Sequence, residues 1–105
     1  MAWFTAGAQT NPAIDAILAD TLALTNGGVS SVTMCVTSTV ACVVALEQRN
    51  VANTANIASH IFPVAAMAPV IIEFPGVPFA PSERFRVRLN AAITGQAQAS
   101  LFAFP

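Results

Sequence analysis

The stretch Glu83-Arg84-Phe85-Arg86-Val87-Arg88-Leu89 constrains this chain more than any other. Successive side chains of a strand point to opposite faces. Strict alternation therefore sets Phe85, Val87 and Leu89 on one side and Arg84, Arg86 and Arg88 on the other. One face reads as core and the other as a cationic ladder. Three of the four basic residues and one of the five acids lie in this stretch, so specific electrostatics begins here.

Outside it the chain is almost uncharged. Of 105 residues, 55% are hydrophobic and 9% charged, against about 25% charged in ordinary soluble domains. The length suits one domain with one core. Such a chain either sits in a membrane or hides much of its surface in an assembly, because an apolar monomer surface aggregates. Lysine is absent and the net charge is −1. The basic excess that neutralises phosphates is therefore missing, and nucleic acid is not an expected partner. Met1-Ala2-Trp3-Phe4 carries no basic segment of the signal-peptide kind. The two cysteines are expected as free thiols made in a reducing compartment.

The run 21–46 is uncharged, and 29–46 within it would attract a hydropathy window. Ser31, Thr33 and Thr37 alternate there with Val32, Met34 and Val36, β-branched residues dominate, and no Lys or Arg lies near the start of the run. Strands are expected, not a membrane span.

Along the chain, residues 1–11 read as an arm carrying Trp3 and Phe4, and residues 12–105 as a single sandwich domain. Asn11-Pro12 is a helix-start pair, with Asn at the N-cap and Pro in the first turn. Asp15 suits the helix dipole, and Ile14, Ile17 and Leu18 share one helical face. A short helix over 12–19 is expected, then a turn at Asn26-Gly27-Gly28. Segments 29–37 and 39–47 read as paired strands, with Val36 opposite Val40 and Met34 opposite Cys42. That register turns Cys35 and Cys42 to opposite faces. The outer face of the second strand, Ala41, Val43 and Ala45, is small and apolar and calls for cover. The run 47–56 is a polar loop whose Asn side chains close local turns. Residues 57–64 resume an extended pattern around His60, which reads as a loop or rim histidine. Residues 67–74 form a strand, and Pro75, Pro78 and Pro81 make the following segment a rigid crossover along the sandwich edge. After the arginine strand comes a turn at Thr94-Gly95 and a last strand over 96–104. Glu83 is expected to pair locally with an arginine.

The sum is an all-β chain, an antiparallel β-sandwich with one short N-terminal helix. No catalytic constellation is visible. His60 has no acid beside it in sequence, the acids are scattered, and no nucleophile motif occurs. The cysteines do not have zinc spacing. No enzyme activity, metal or cofactor is expected. A carbohydrate-binding sandwich is the competing class, but it would want exposed aromatics; Tyr is absent and Trp3 is the only Trp. With under-charged outer faces, a homo-oligomer or lattice component is expected.

The Asn-Pro start, the strand pair, Leu46-Glu47-Gln48-Arg49-Asn50-Val51-Ala52-Asn53, Phe74-Pro75-Gly76-Val77-Pro78 and the arginine strand together resemble small β-sandwich virion proteins of tailed bacteriophages. The resemblance runs from about Asn11 onward and lies in pattern and texture. It implies a jelly-roll-like decoration (cement) protein, or a head–tail accessory protein, located in the virion. Such a protein would sit on or between subunits of the major capsid or another virion protein, most often as a trimer. On that reading the partner contacts are Trp3 and Phe4 in the arm, Arg49 in the loop, and Arg84, Arg86 and Arg88 on the strand.

Overall fold

The computed structural model describes residues 2–5, 7–24 and 27–104, with backbone alone for 2–5, 30 and 104. Its strands are β1 (Ala2–Thr5), β2 (Gln9–Thr10), β3 (Ile17–Asp20), β4 (Gly28–Ser38), β5 (Cys42–Arg49), β6 (Asn56–Val64), β7 (Val70–Phe79), β8 (Arg84–Leu89) and β9 (Gln96–Phe104). All pairings are antiparallel. One sheet runs β1-β9-β4-β7, with β2 following β1 along the same edge of β9; the other runs β3-β8-β5-β6. The chain belongs to the all-β class, as two antiparallel sheets with one core between them.

Alternation decides which residues fill that core. On β8, Phe85, Val87 and Leu89 are buried while the arginines between them are half-buried. Val44 and Leu46 join them from β5. The facing sheet contributes Val32, Met34 and Val36 from β4, and Ala97, Ala99, Leu101 and Ala103 from β9. The alanines of β9 bring its backbone close to the other sheet, and Met34, Leu101 and Leu89 are fully buried around them. Each such large side chain contributes roughly 1.5–3 kcal/mol by leaving water. Among the described residues no helix is long and apolar enough to cross a membrane.

Three local expectations are corrected. No helix forms over 12–19. Asn11 and Asp15 adopt left-handed backbone (φ 49° and 66°), which a right-handed helix cannot contain. Asp15 N–H instead donates to Leu89 O (2.9 Å), and Leu89 N–H donates to Ala16 O (2.9 Å). A bulge between Ile17 and Ala19 lets both Leu18 and Ala19 reach the core, leaving Ile14 in solvent. Tertiary pairing with β8 thus overrides the capping signal, and Asn11 caps a different structure. Its N–H donates to Gly95 O (2.6 Å), and its Oδ1 accepts from Gly95 N–H (2.9 Å).

The second correction concerns β4 and β5, which do not pair. They lie in different sheets, with Val36 opposite Val70 and Ala99. Their apolar faces meet across the core instead of side by side. Ser38 makes the corner: its hydroxyl donates to Val40 O (2.6 Å) and accepts from Val40 N–H (3.3 Å). Both cysteines are free thiols, Cys42 packed against the core and Cys35 on the other sheet. Third, the proline segment is not a separate crossover. Pro75 and Pro78 belong to β7, an edge strand with one neighbour, where a missing N–H is tolerated. Gly76 (φ +72°) sits where the register between β4 and β7 slips. The Gly27-Gly28 end of the expected turn precedes β4, while its Asn26 lies outside the described residues.

Candidate functional site

The outer face of the β8 sheet carries the charges. Glu47 on β5 stands directly opposite Arg86, with Ala45 opposite Arg88 and Arg49 opposite Arg84. The Glu47 carboxylate is 1% exposed. Arg86 Nε donates to its Oε1 at 2.6 Å; Arg88 Nε and Asn56 Nδ2 donate to its Oε2, each at 3.0 Å. Burial pushes its pKa up, but hydrogen bonds from Arg86, Asn56 and Arg88 outweigh it and hold the carboxyl below its usual 4.5. Burial pulls the Arg88 guanidinium down; its bonds to Glu47 and Asp15 reverse that, so its pKa is raised.

The remaining arginines are also engaged within the chain. Arg88 Nη1 reaches Asp15 (2.6 Å) and Arg84 Nη1 reaches Asp20 (3.3 Å). Arg84 and Arg49 are like charges directly across the ladder, a destabilising pairing unless each is drawn away. Arg49 is drawn into the 50–55 loop, donating to Asn53 Oδ1 (2.9 Å), Asn53 O (2.9 Å) and Asn56 Oδ1 (2.7 Å). Asn50 Oδ1 closes that loop from inside by accepting from Thr54 N–H (2.8 Å). Of the small outer face expected to need cover, Ala45 is fully buried between Arg88 and its β6 neighbour Ile61, while Val43 is half-buried and Ala41 exposed. Glu83 does not pair with an arginine. It accepts from Gln48 Nε2 (3.1 Å) and Ala80 N–H (2.8 Å).

At the opposite side of the molecule the sandwich is open. β6 and β7 each have one neighbour in their sheets, leaving an unpaired edge on both. Proline interrupts the β7 edge and, at Pro63, the last part of β6, but residues 56–62 of β6 contain neither proline nor Asp, Glu, Lys or Arg. Nearly all of β6 is exposed, Ile61 to 60%. Inside the opening His60 stacks on Phe74 (centroids 4.9 Å apart), with Phe62 6.1 Å from Phe74. The slot behind them, lined by His60, Phe74, Leu46 and Phe85, encloses about 50 Å³, far below the roughly 300 Å³ of the smallest usual ligand sites.

The outer face of the other sheet is different again. On it Thr33 stands opposite Phe102, Cys35 opposite Ser100 and Thr37 opposite Gln98, Ile71 on β7 is exposed, and Glu73 on β7 is its one charged strand residue among those described. At one end, Thr37, Ser38, Thr39, Met67, Pro69, Gln96 and Gln98 enclose a shallow basin of about 270 Å³.

Arg49, Arg84, Arg86 and Arg88 therefore share one face, brought together by the β5–β8 register. Trp3 and Phe4 lie apart from them, their backbone paired opposite Phe102 and Leu101 on β9; their side chains lie outside the described residues. Sequence reasoning missed Glu47, Asp15 and Asp20 as the arginines' partners, and missed the β6 edge. A lone acid on an otherwise apolar strand was the available signal for Glu47. Among the described residues no cluster of three His, Cys, Asp or Glu side chains could hold a metal ion.

No protein-family model matches the chain, and no curated protein matches it. Among solved structures it is similar to the apo form of BiXyn10A CBM1, a carbohydrate-binding module, at 11% identity with a TM-score of 0.54, over 90% of this chain and 70% of that one. At that identity the likeness concerns the fold.

Proposed function

We propose that this chain is a structural protein of a bacteriophage virion, a capsid decoration (cement) protein that acts by binding and not by catalysis. The observation that carries the reading is the β6 edge: an unpaired, exposed strand whose first seven residues, 56–62, ahead of Pro63, carry no proline and no Asp, Glu, Lys or Arg. Soluble monomers blunt such edges with charge, proline or a covering segment, because an open edge templates pairing with another chain. Strand order supports a jelly roll. With β1 and β2 counted as one broken strand, each sheet has four strands, and every pair of neighbours except the β5–β6 hairpin is drawn from non-consecutive strands of the chain. A protein that binds only the assembled shell stabilises it by mass action, and symmetry-repeated contacts add avidity. Copies associate as a homo-oligomer, a trimer, and meet the major capsid protein through the β6 edge, the Trp3-Phe4 segment and the rims of Arg49, Arg84, Arg86 and Arg88. A head–tail accessory position would use the same surfaces. Mass spectrometry of purified virions whose genome encodes the chain should find it in many copies per particle. Its absence from the particle would overturn the reading.

A second reading, a carbohydrate-binding module, has one specific observation behind it. The hydroxyl- and amide-lined basin lies on a sandwich similar in fold to such a module. Saturable glycan binding by a monomer would favour it.

A further inference from the structure

The basin at the end of the β4–β9 face sets a few neutral hydrogen-bonding groups into a mainly apolar lining on a fixed floor. Thr39 and Gln96 clamp each other through the backbone: Thr39 N–H donates to Gln96 O (2.9 Å), and Gln96 N–H donates to Thr39 Oγ1 (2.9 Å). Gly95 permits this approach, since a Cβ there would lie 2.6 Å from Thr39 Oγ1. Beside the clamp, Thr37 and Gln98 are direct cross-strand partners, both exposed. Neither side chain makes a hydrogen bond among the described residues, so a hydroxyl and an amide stand ready side by side.

One wall is apolar. Met67 is 77% exposed, in left-handed backbone (φ 59°) that costs a non-glycine residue of order 1 kcal/mol. Its N–H is tied to Ser38 O (2.8 Å), which holds it over the basin next to Pro69. An exposed thioether in a disfavoured conformation, beside two uncommitted polar side chains, is the arrangement of a binding surface.

The lining selects the ligand's chemistry. Among the described residues no charged side chain borders the basin, so an anion or cation would lose hydration there and gain no ion pair. A puckered ring with hydroxyls around its edge and an apolar C–H face would satisfy both kinds of lining, and about 270 Å³ is just under the roughly 300 Å³ lower end of usual small-ligand sites, which limits the occupant to a small unit. We propose that the basin is a subsite for one unit of a neutral glycan, with Thr37 and Gln98 bonding its hydroxyls and Met67 and Pro69 packing on its C–H face. The inference rests on the second reading above and is independent of the virion role.

The test is an amide NMR titration of the full chain with neutral hexasaccharides (cello-, xylo-, manno- and chito-series), with hexagalacturonate as the anionic comparison. One neutral series should shift the Thr37, Thr39, Gln96, Gln98 and Met67 amides saturably at millimolar sugar. Thr37→Ala and Gln98→Ala should each weaken binding about three- to tenfold, the value of one hydrogen bond, with the melting temperature unchanged. Saturable binding whose shifts fall elsewhere, or whose affinity ignores both variants, overturns the subsite and leaves the carbohydrate reading standing. No shift with any sugar overturns both. A response to hexagalacturonate alone contradicts the neutral lining argument. Basin shifts that follow protein concentration instead of sugar would make it a contact between copies, which also overturns the proposal.

Discussion

Replacing Glu47 with alanine would strand Arg86 and Arg88 on a face where both are largely buried, because each spends its Nε–H on that carboxylate. Removing one member of a buried pair costs about 3–5 kcal/mol. The expected loss is near the lower figure, since the guanidinium tips keep some water, and the melting temperature should fall by roughly 12–24 °C. Arg86→Ala should cost less, about 1.5–3 kcal/mol, because Arg88 and Asn56 still hold the carboxylate. Asp15 is mostly exposed, so Asp15→Asn should change stability by about 1 kcal/mol or less. The network also sets an acid limit. Glu47's folded pKa lies below its ordinary 4.5, so its contribution is complete above 4.5 and is lost as pH falls through the depressed folded value. Denaturant titrations should show Glu47→Gln less stable at neutral pH but with a shallower decline in acid. Equal acid slopes in both proteins would contradict this role for Glu47. The alternation in 84–89 made the arginine face legible from sequence, but its partners were not. Glu47 is 39 residues from Arg86, and Asp15 is 73 from Arg88; only strand register brings them together.

At the scale of elements, what was legible followed local periodicity, and what was missed followed tertiary choice. β8 and β9 were readable because each alternates cleanly. The stretch 12–19 satisfies a helix-start rule and a strand pairing equally well in sequence, and the bonds to Leu89 decide it. β4 and β5 look like a hairpin because their apolar faces match, and matching faces serve equally well for packing across a core. Nothing local marked β6 as exposed, since Ile57, Ile61 and Phe62 read as ordinary strand hydrophobics. Two element-scale outcomes follow. Ile61→Lys puts a charge on the open edge without touching the core, and should dissociate an edge-paired oligomer while leaving the melting temperature of the monomer nearly unchanged; sizing chromatography with a thermal melt reads both. Deleting residues 1–9 removes β1 and half of β2, uncovering the edge of β9. The deleted chain should melt lower and assemble less well, and an unchanged melt would contradict the pairing.

Across the whole molecule, the distribution of charge is the unifying feature. The four arginines meet acids or amides of their own chain, the facing sheet mixes hydroxyls, amides and apolar side chains such as Ile71 with the single acid Glu73, and the side between β6 and β7 is open and uncharged. A surface of that kind is suited to being covered by neighbours, which is the texture the likeness to phage virion proteins rested on. The scarcity of charge was plain in the composition; where the uncovered edge lies required the fold. The measurement that tests the assembly account most directly is the native mass of the full chain in detergent-free buffer, by light scattering behind a sizing column. The account predicts a discrete closed oligomer, a trimer at three times the 10.9 kDa chain mass. A clean monomer, stable and soluble at high concentration, would contradict it.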